Sequence, residues 1–203
     1  MLVSDRRRFP EPAPGEVFSP AEWKVLTRAL SLGIGAVQLR EKDLDGGPLF
    51  ARAQLLCELC ARFEVPLLVN GRVDITCAVG AAGVHLPAGG LTVSDAREGL
   101  PAGALVGASV HGVADLPRAA GADYVIFGPI YETSNKPGYG PAQRAQGMAA
   151  FAAQASMPVL GIGGIRPENC HEICAAGAAG VAVMGAILEN PEIVPRFYET
   201  RIA

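Results

Sequence analysis

The sequence has few charged and few aromatic side chains. Charged residues make up 18% of the 203 residues and aromatic residues 6%, and the formal net charge is −3. A weakly acidic chain of this kind lacks the basic surface that nucleic-acid binding requires, so we expect no nucleic-acid partner. No apolar run approaches the roughly 20 residues of a membrane-spanning helix, so we expect no membrane partner either.

Cysteine is present, but in a pattern that argues against disulfides. The five cysteines are an odd number, and the N-terminal segment MLVSDRRRFPEP lacks the apolar stretch of a secretory signal. Both observations predict reduced thiols and a cytoplasmic protein. Cys57 and Cys60 form a CxxC motif, but they lie within AQLLCELCARF, a stretch with helical periodicity. We interpret them as core residues rather than a redox pair, which would lie at the start of a helix.

Hydrophobic residues and glycine are abundant, at 50% of the chain and 25 residues respectively. Short β-branched runs bounded by glycine or polar residues predict strands, and helical stretches separate them, among them Val113–Ala120 and a closing helix over Glu192–Ile202. The predicted strands are Met1–Ser4, Ala36–Leu39, Pro66–Val69, Gly83–Leu86, Ala104–Ser109, Asp123–Phe127, Val159–Ile162 and Gly180–Met184. This alternation predicts an α/β chain with a single domain over 1–203, a (β/α)8 TIM barrel. The alternative, a doubly wound open sheet, predicts GxGxxG after the first strand, where the chain reads DRRRFP.

A phosphate-binding cup is predicted in the segment Pro158–Ile187. Two consecutive apolar strands there end in glycine, the first at Gly163-Gly164 and the second at Gly185. Glycines let backbone N–H groups approach an anion, and this arrangement is typical of phosphate sites in barrels. The alternative is that these glycines only form tight turns.

Polar side chains follow several predicted strands, at the end of the barrel where active sites form. Arg40 and Lys42 follow the second strand near Gln38 and, being two residues apart, project on one side as a phosphate clamp would; a solvated charged turn is the alternative. Asn70 follows the third strand. Lys136, in the long loop after the sixth strand, is placed to meet an anion or is simply exposed.

Three histidines are candidates for proton transfer. His111 lies just beyond the fifth strand, two residues after Ser109, and a histidine there can exchange a proton near neutral pH. We therefore predict His111 as the general acid/base. His85 lies within a strand and is at least as consistent with a core role, and His171 is predicted on a helix surface. The arginine run at positions 6–8 follows the first strand, so in a barrel it lies on the active face and could touch an anionic ligand; we predict a solvated run instead.

The combined motifs resemble the thiamine phosphate synthase superfamily over Gly33–Ile187. The matching segments, in order, are VQLREK, VNGRVDI, GVHLP, ASVH, ADYVIFGPIYETSNK, GIGGI and GVAVMGAI. The resemblance implies a (β/α)8 barrel. It further implies that the diphosphate and pyrimidine contact Gln38, Arg40, Lys42, Asn70 and Lys136, that the pyrimidine side includes Ser109, and that the thiazole phosphate cup contains Gly163, Gly164, Met184 and Gly185.

Two departures from the synthase pattern favour a different branch. The superfamily's synthases have aspartates as magnesium ligands where this chain has Gly71 and the segment Pro87-Ala88-Gly89-Gly90. NGRVDI, HLPAGG and SVH instead resemble the TenI-type branch, whose members are thiazole tautomerases. The resemblance thus implies a thiazole phosphate tautomerase in thiamine biosynthesis, with His111 as acid/base and no metal or cofactor.

Two other functions stay open. One is a thiamine phosphate synthase that joins a pyrimidine methyl diphosphate to a thiazole phosphate and would need Mg²⁺. The other is a non-catalytic regulator that binds thiazole phosphate. In each case the partner is a small phosphorylated thiazole, and a homo-oligomer is compatible with the sequence.

Overall fold

The computed structural model describes residues 1–132 and 141–199. Its strands form one parallel sheet in which each strand pairs with the next along the chain. They are β1 (Leu2–Val3), β2 (Val37–Leu39), β3 (Leu67–Asn70), β4 (Gly83–Leu86), β5 (Leu105–Val110), β6 (Tyr124–Phe127), β7 (Val159–Ile162) and β8 (Gly180–Ala182). All eight predicted strands are confirmed.

The sheet closes on itself where β8 meets β1. An isolated parallel bridge joins Leu2 to Val183, and the N–H of Val3 donates to the Val183 carbonyl at 3.0 Å. The N-terminal amino group of Met1 adds a hydrogen bond to the Val181 carbonyl at 2.8 Å. The architecture is therefore the predicted (β/α)8 barrel, closed at a short seam.

Six α-helices of the described chain lie between consecutive strands, and two follow β8. They are α1 (Pro20–Ser31), α2 (Gly46–Arg62), α3 (Val73–Val79), α4 (Val93–Gly99), α5 (Arg144–Ala152), α6 (Pro167–Ala175), α7 (Gly185–Glu189) and α8 (Arg196–Glu199). Local sequence explains where they begin: Ser19 caps α1 by accepting from the N–H of Glu22, and Thr92 with Asp95 forms a capping box for α4. None of these helices, within the described part of the chain, is long and apolar enough to cross a bilayer.

The hydrophobic core has two parts, one between the sheet and the helices and one inside the barrel. The larger part contains Leu56, Met148 and Ile173, all fully buried. The smaller part is formed by Val3, Ile126 and Ala182, which point into the barrel. All three also line a cavity at the carboxyl ends of the strands.

Two predicted helices differ in the structure, and proline explains both. The segment after β5 is a 3-10 helix, Val113–Ala119, because Pro117 lacks the N–H that an α-helix needs. The predicted closing helix over Glu192–Ile202 is instead a 3-10 turn at Pro191–Ile193 followed by α8, interrupted before Pro195; residues 200–203 lie outside the described ranges.

The loop between β1 and α1 is held against the barrel by buried polar groups. Glu41 accepts hydrogen bonds from the Ser4 hydroxyl at 2.6 Å and from the Arg6 N–H at 3.2 Å. The arginine run in this loop is therefore less solvated than predicted. The Arg7 side chain is 63% exposed, but those of Arg6 and Arg8 are only 18% and 22% exposed.

Candidate active site

A cavity of about 600 Å³ opens at the carboxyl ends of the strands. Parallel strands bring all their carboxyl ends to one rim, so residues far apart in the sequence meet there. The cavity is lined by every predicted site residue in the described ranges: Gln38, Arg40, Lys42, Asn70, Ser109, His111, Gly163, Gly164, Met184 and Gly185. Lys136 lies outside the described residues.

One wall of the cavity, at the end of β2, carries positive charge without local neutralisation. Among the described residues, no carboxylate lies within 4 Å of Arg40 or Lys42 in an ion pair. Burial, and then the neighbouring Arg40 charge, lower the pKa of Lys42. Gln38 is 2% exposed, and its Nε2 atom has no hydrogen-bond partner among the residues that the structure describes. This wall therefore has the charge and the donors to bind an anion.

The opposite part of the rim is the glycine turn after β7. Gly163 and Gly164 have φ values of +102° and +64°, which favour glycine strongly. Asn169 fixes the turn from α6: its Nδ2 donates to the Gly164 carbonyl at 3.1 Å, and its Oδ1 accepts from the Arg166 N–H at 2.8 Å. The turn is thus rigid and leaves room for a ligand against its backbone.

Two arginines that the sequence analysis did not select also line the cavity. Arg166 directly follows GIGGI, a position that could have identified it. Arg8 reaches the cavity from the β1–α1 loop and pairs with Glu189 at 3.0 Å. Nothing in the run of three arginines distinguishes Arg8 from its neighbours, because only the fold of the loop turns it inward.

The ring of His111 is fixed by the loop after β6. Its Nδ1 lies 2.9 Å from the carbonyl oxygen of Gly128, and its backbone N–H donates to Asp115 at 2.7 Å. A carbonyl oxygen can only accept, so Nδ1 carries a proton.

His85 is both a core residue and a cavity residue. It is 1% exposed, lines the cavity, and lies between Ser109 Oγ at 2.8 Å from Nε2 and the Tyr124 hydroxyl at 3.2 Å from Nδ1. Tyr124 was not selected from the sequence. The alternation along β6, which puts Tyr124 on the same side as the cavity residue Ile126, is the signal that could have found it.

The carboxylates at the cavity do not form a cluster. Glu132 and Glu189 line it, and Glu189 is engaged by Arg8. Residues 1–132 and 141–199 contain no group of three histidine, cysteine, aspartate or glutamate side chains that could hold a metal ion. Positions 133–140 and 200–203 contain no acidic residue at all.

Comparison with known proteins identifies the family. The family described as "Thiamine monophosphate synthase" matches residues 15–187. A thiamine-phosphate synthase of Methanoculleus marisnigri is 40% identical over 163 residues, covering 79% of this chain and 77% of the relative. That of Methanospirillum hungatei is 36% identical and covers 88% of both chains. A Geobacter sulfurreducens relative, 44% identical over 170 residues (83% of this chain and 80% of its own), bears the same name provisionally.

The solved structures agree with the fold and with the family. Thiamine phosphate pyrophosphorylase from Pyrococcus furiosus superposes with a TM-score of 0.82 at 26% identity, over 98% of this chain and 93% of that one. The barrel fold is therefore shared with a relative across nearly the whole chain.

These relatives correct the predicted function. Chains 36–44% identical to this one are named thiamine-phosphate synthase, which contradicts the thiazole tautomerase and supports the synthase alternative. The TenI-type branch is not distinguished by any of these names. The departures at Gly71 and Pro87–Gly90 misled the prediction, since they were given more weight than the other motifs that match the family. The chain belongs to the thiamine monophosphate synthase family.

Proposed function

We propose that this protein is a thiamine phosphate synthase, a transferase that joins a pyrimidine methyl diphosphate to a thiazole phosphate. One observation supports the proposal: a single cavity is lined by two regions suited to anions, which follow different strands. The cationic wall follows β2 at Arg40 and Lys42, and the glycine turn follows β7 at Gly163 and Gly164. A substrate pair with one diphosphate and one monophosphate needs two such regions.

The proposed reaction requires charge stabilisation more than proton transfer. The thiazole ring nitrogen donates its electron pair to the pyrimidine CH₂ carbon, and the C–O bond to the diphosphate breaks. The departing diphosphate takes that bonding pair. Arg40 and Lys42 would neutralise the charge that develops on it, and Gln38 Nε2 would donate a hydrogen bond. Gly163, Gly164, Met184 and Gly185 would hold the thiazole phosphate.

Magnesium, when bound to a diphosphate, neutralises part of its charge. A magnesium ion held by the protein requires carboxylate or carbonyl oxygens that converge on one point. Glu132 and Glu189 do not provide such a set, and no acid occurs at 133–140. The residues present therefore do not fit a resident magnesium site, and we assign charge neutralisation to Arg40 and Lys42.

His111 has a different part in this proposal from the predicted one. Bond formation between the two substrates leaves no proton to be removed by the protein, so no general acid/base is required. We propose that His111 and Asn70 contact the bound substrates as hydrogen-bonding groups. The contact from Gly128 to His111 Nδ1 sets the orientation of the ring.

The direct test is product formation. Purified protein is given both substrates, with and without Mg²⁺, and thiamine phosphate and diphosphate are measured by chromatography and a pyrophosphatase-coupled assay. We expect equimolar products and a strong loss of activity in Arg40→Met. Arg196→Met is the matched control because Arg196 lies on α8 and pairs with Glu168 at 2.6 Å, outside the cavity. Absence of thiamine phosphate under all conditions would overturn the proposal.

A further inference from the structure

We propose that Tyr124 and His85 form a hydrogen-bond chain that holds the Ser109 hydroxyl as a donor toward the cavity. Tyr124 and His85 are positioning residues in this proposal, and Ser109 is the group that contacts the ligand. The identity of that ligand, the pyrimidine substrate, rests on the proposed function. The direction of the chain does not depend on the identity of that ligand.

The chain exists because one residue between its members has no side chain. In the sheet, Gly107 of β5 is paired with His85 of β4 on one side and with Tyr124 of β6 on the other. A Cβ atom on Gly107 would overlap the ring of Tyr124. The Tyr124 ring therefore lies over Gly107 and reaches His85 across the intervening strand, with its hydroxyl 3.2 Å from Nδ1.

The direction of the hydrogen bonds follows from the phenol. Burial raises the pKa of Tyr124, so its hydroxyl carries a proton at neutral pH. His85 Nδ1 is the hydrogen-bond partner of that hydroxyl within residues 1–132 and 141–199. A buried O–H must find an acceptor, so Tyr124 donates to Nδ1.

The tautomer of His85 then fixes Ser109. An Nδ1 that accepts has no proton, so the neutral imidazole carries its proton on Nε2 and donates it to Ser109 Oγ over 2.8 Å. His85 is 1% exposed, and a ring protonated at both nitrogens would leave the Tyr124 hydroxyl without an acceptor in the described part of the chain. Ser109 Oγ accepts from His85 and keeps its own proton, which it can donate to a ligand because Ser109 lines the cavity.

This arrangement selects the chemistry of the ligand. A hydroxyl held as a donor recognises a hydrogen-bond acceptor, such as an unprotonated ring nitrogen, and disfavours a donor at the same place. In the reverse arrangement, His85 would donate to Tyr124 and accept from Ser109. The Ser109 hydroxyl would then use its proton on His85 and could not donate it to a ligand in the cavity. The Tyr124 proton would then lack an acceptor among the described residues.

The tautomer can be measured directly, without substrate or turnover. Long-range ¹H–¹⁵N correlation spectra of the intact protein with ¹⁵N-labelled histidine are expected to show that His85 is protonated at Nε2 and unprotonated at Nδ1. In Tyr124→Phe, the Nδ1 acceptor loses its donor and a mixture of tautomers is expected. In Tyr198→Phe, which loses a phenol hydrogen-bonded to the Gly33 carbonyl at 2.8 Å, the His85 signals should not change. A parent protein with Nδ1 protonated would overturn the proposal.

The consequence for the ligand is tested by equilibrium binding of pyrimidine methyl diphosphate, measured by calorimetry. Tyr124→Phe and Ser109→Ala should each weaken binding about 3- to 10-fold, the effect of one hydrogen bond, and the double variant should be no weaker than Ser109→Ala. Additive losses would show that Tyr124 does not act through Ser109. If the protein forms no thiamine phosphate but His85 is protonated at Nε2, the proposed function fails while the hydrogen-bond chain stands.

Discussion

A Cβ atom on Gly164 would lie 2.7 Å from the Cβ atom of Tyr131. The glycine turn after β7 is therefore packed directly beneath the chain that leaves β6. Tyr131 is itself fixed, because its hydroxyl donates to Glu172 Oε2 at 2.7 Å. The two segments that border the proposed phosphate region thus depend on each other for their positions.

This contact predicts a specific effect of Gly164→Ala. The alanine would meet Tyr131 and would also have to adopt a φ of +64°, so we expect a loss of about 1–3 kcal/mol in the free energy of unfolding. Binding of thiazole phosphate should weaken at least about tenfold, which corresponds to 1.4 kcal/mol. Calorimetry and urea denaturation measure the two effects.

Gly103→Ala is the control for Gly164→Ala. Gly103 has a φ of +85°, but a Cβ atom there would meet nothing within 4 Å. This variant has the strain of a positive φ at alanine but no steric contact like that with Tyr131, and Gly103 does not line the cavity. If both variants bind thiazole phosphate equally well, the packing against Tyr131 does not shape the site.

The cationic wall predicts diphosphate binding that does not require a divalent metal. Inorganic pyrophosphate should bind in the presence of EDTA, because Arg40 and Lys42 supply positive charge that no nearby carboxylate in the described part of the chain neutralises. Arg40→Met should weaken this binding about 10- to 100-fold, as expected for a charged hydrogen bond. Binding that occurs only with Mg²⁺ would contradict the assignment; Arg196→Met should bind like the parent.

The lowered pKa of Lys42 predicts a pH dependence. An anion prefers the charged ammonium, so its binding raises the pKa of Lys42 and takes up a proton. Affinity for pyrophosphate should therefore fall as the pH rises through the pKa of Lys42 in the free protein, which lies below the ordinary 10.5. Calorimetry from neutral to alkaline pH measures this fall.

Two variants check the cause of that pH dependence. Lys42→Arg should bind pyrophosphate without the fall, since a guanidinium stays charged and the titration of pyrophosphate itself is common to both proteins. Arg40→Met removes the second cause of the shift, so the fall should move to higher pH. A fall of equal size in Lys42→Arg would assign the effect to the ligand.

His111→Ala separates the proposed role of His111 from the one predicted from sequence. Loss of one hydrogen bond should lower kcat/KM for thiamine phosphate formation by about 3- to 10-fold. Loss of a general acid/base would lower it about 10²- to 10⁴-fold. Steady-state kinetics on parent and variant decide between these roles, and a loss in the larger range would restore His111 as a proton-transfer residue.

Periodicity and glycine placement were sufficient to predict the barrel. The β-branched runs repeat at a spacing that only βαβ units explain, and strand ends such as Gln38, Asn70 and Ser109 could be read directly as cavity residues. Helix boundaries near proline were less predictable, because Pro117 and Pro195 act on hydrogen bonds that a hydrophobic pattern does not reveal.

The missed residues share a physical reason. Both are placed by long-range contacts: Arg8 reaches the cavity from a loop fixed by Glu41, and Tyr124 reaches the cavity residue His85 across Gly107. Arg8 leaves no local pattern, and the alternation along β6 is the signal for Tyr124. The function was mispredicted for a different reason: two turns without aspartates were taken as decisive, although the other motifs match the family.

The proposed thiazole phosphate site lies across the seam between β8 and β1, so a bound phosphate would join the two ends of the sheet. β1 contains two residues, and one isolated bridge from Leu2 to Val183 joins it to β8. Arg8 follows one side of this joint, and Met184 and Gly185 follow the other, all at the same cavity. A phosphate that contacts both sides would stabilise the closed seam. Its binding should therefore slow amide hydrogen exchange at Val3 and Val183 more than elsewhere in the barrel.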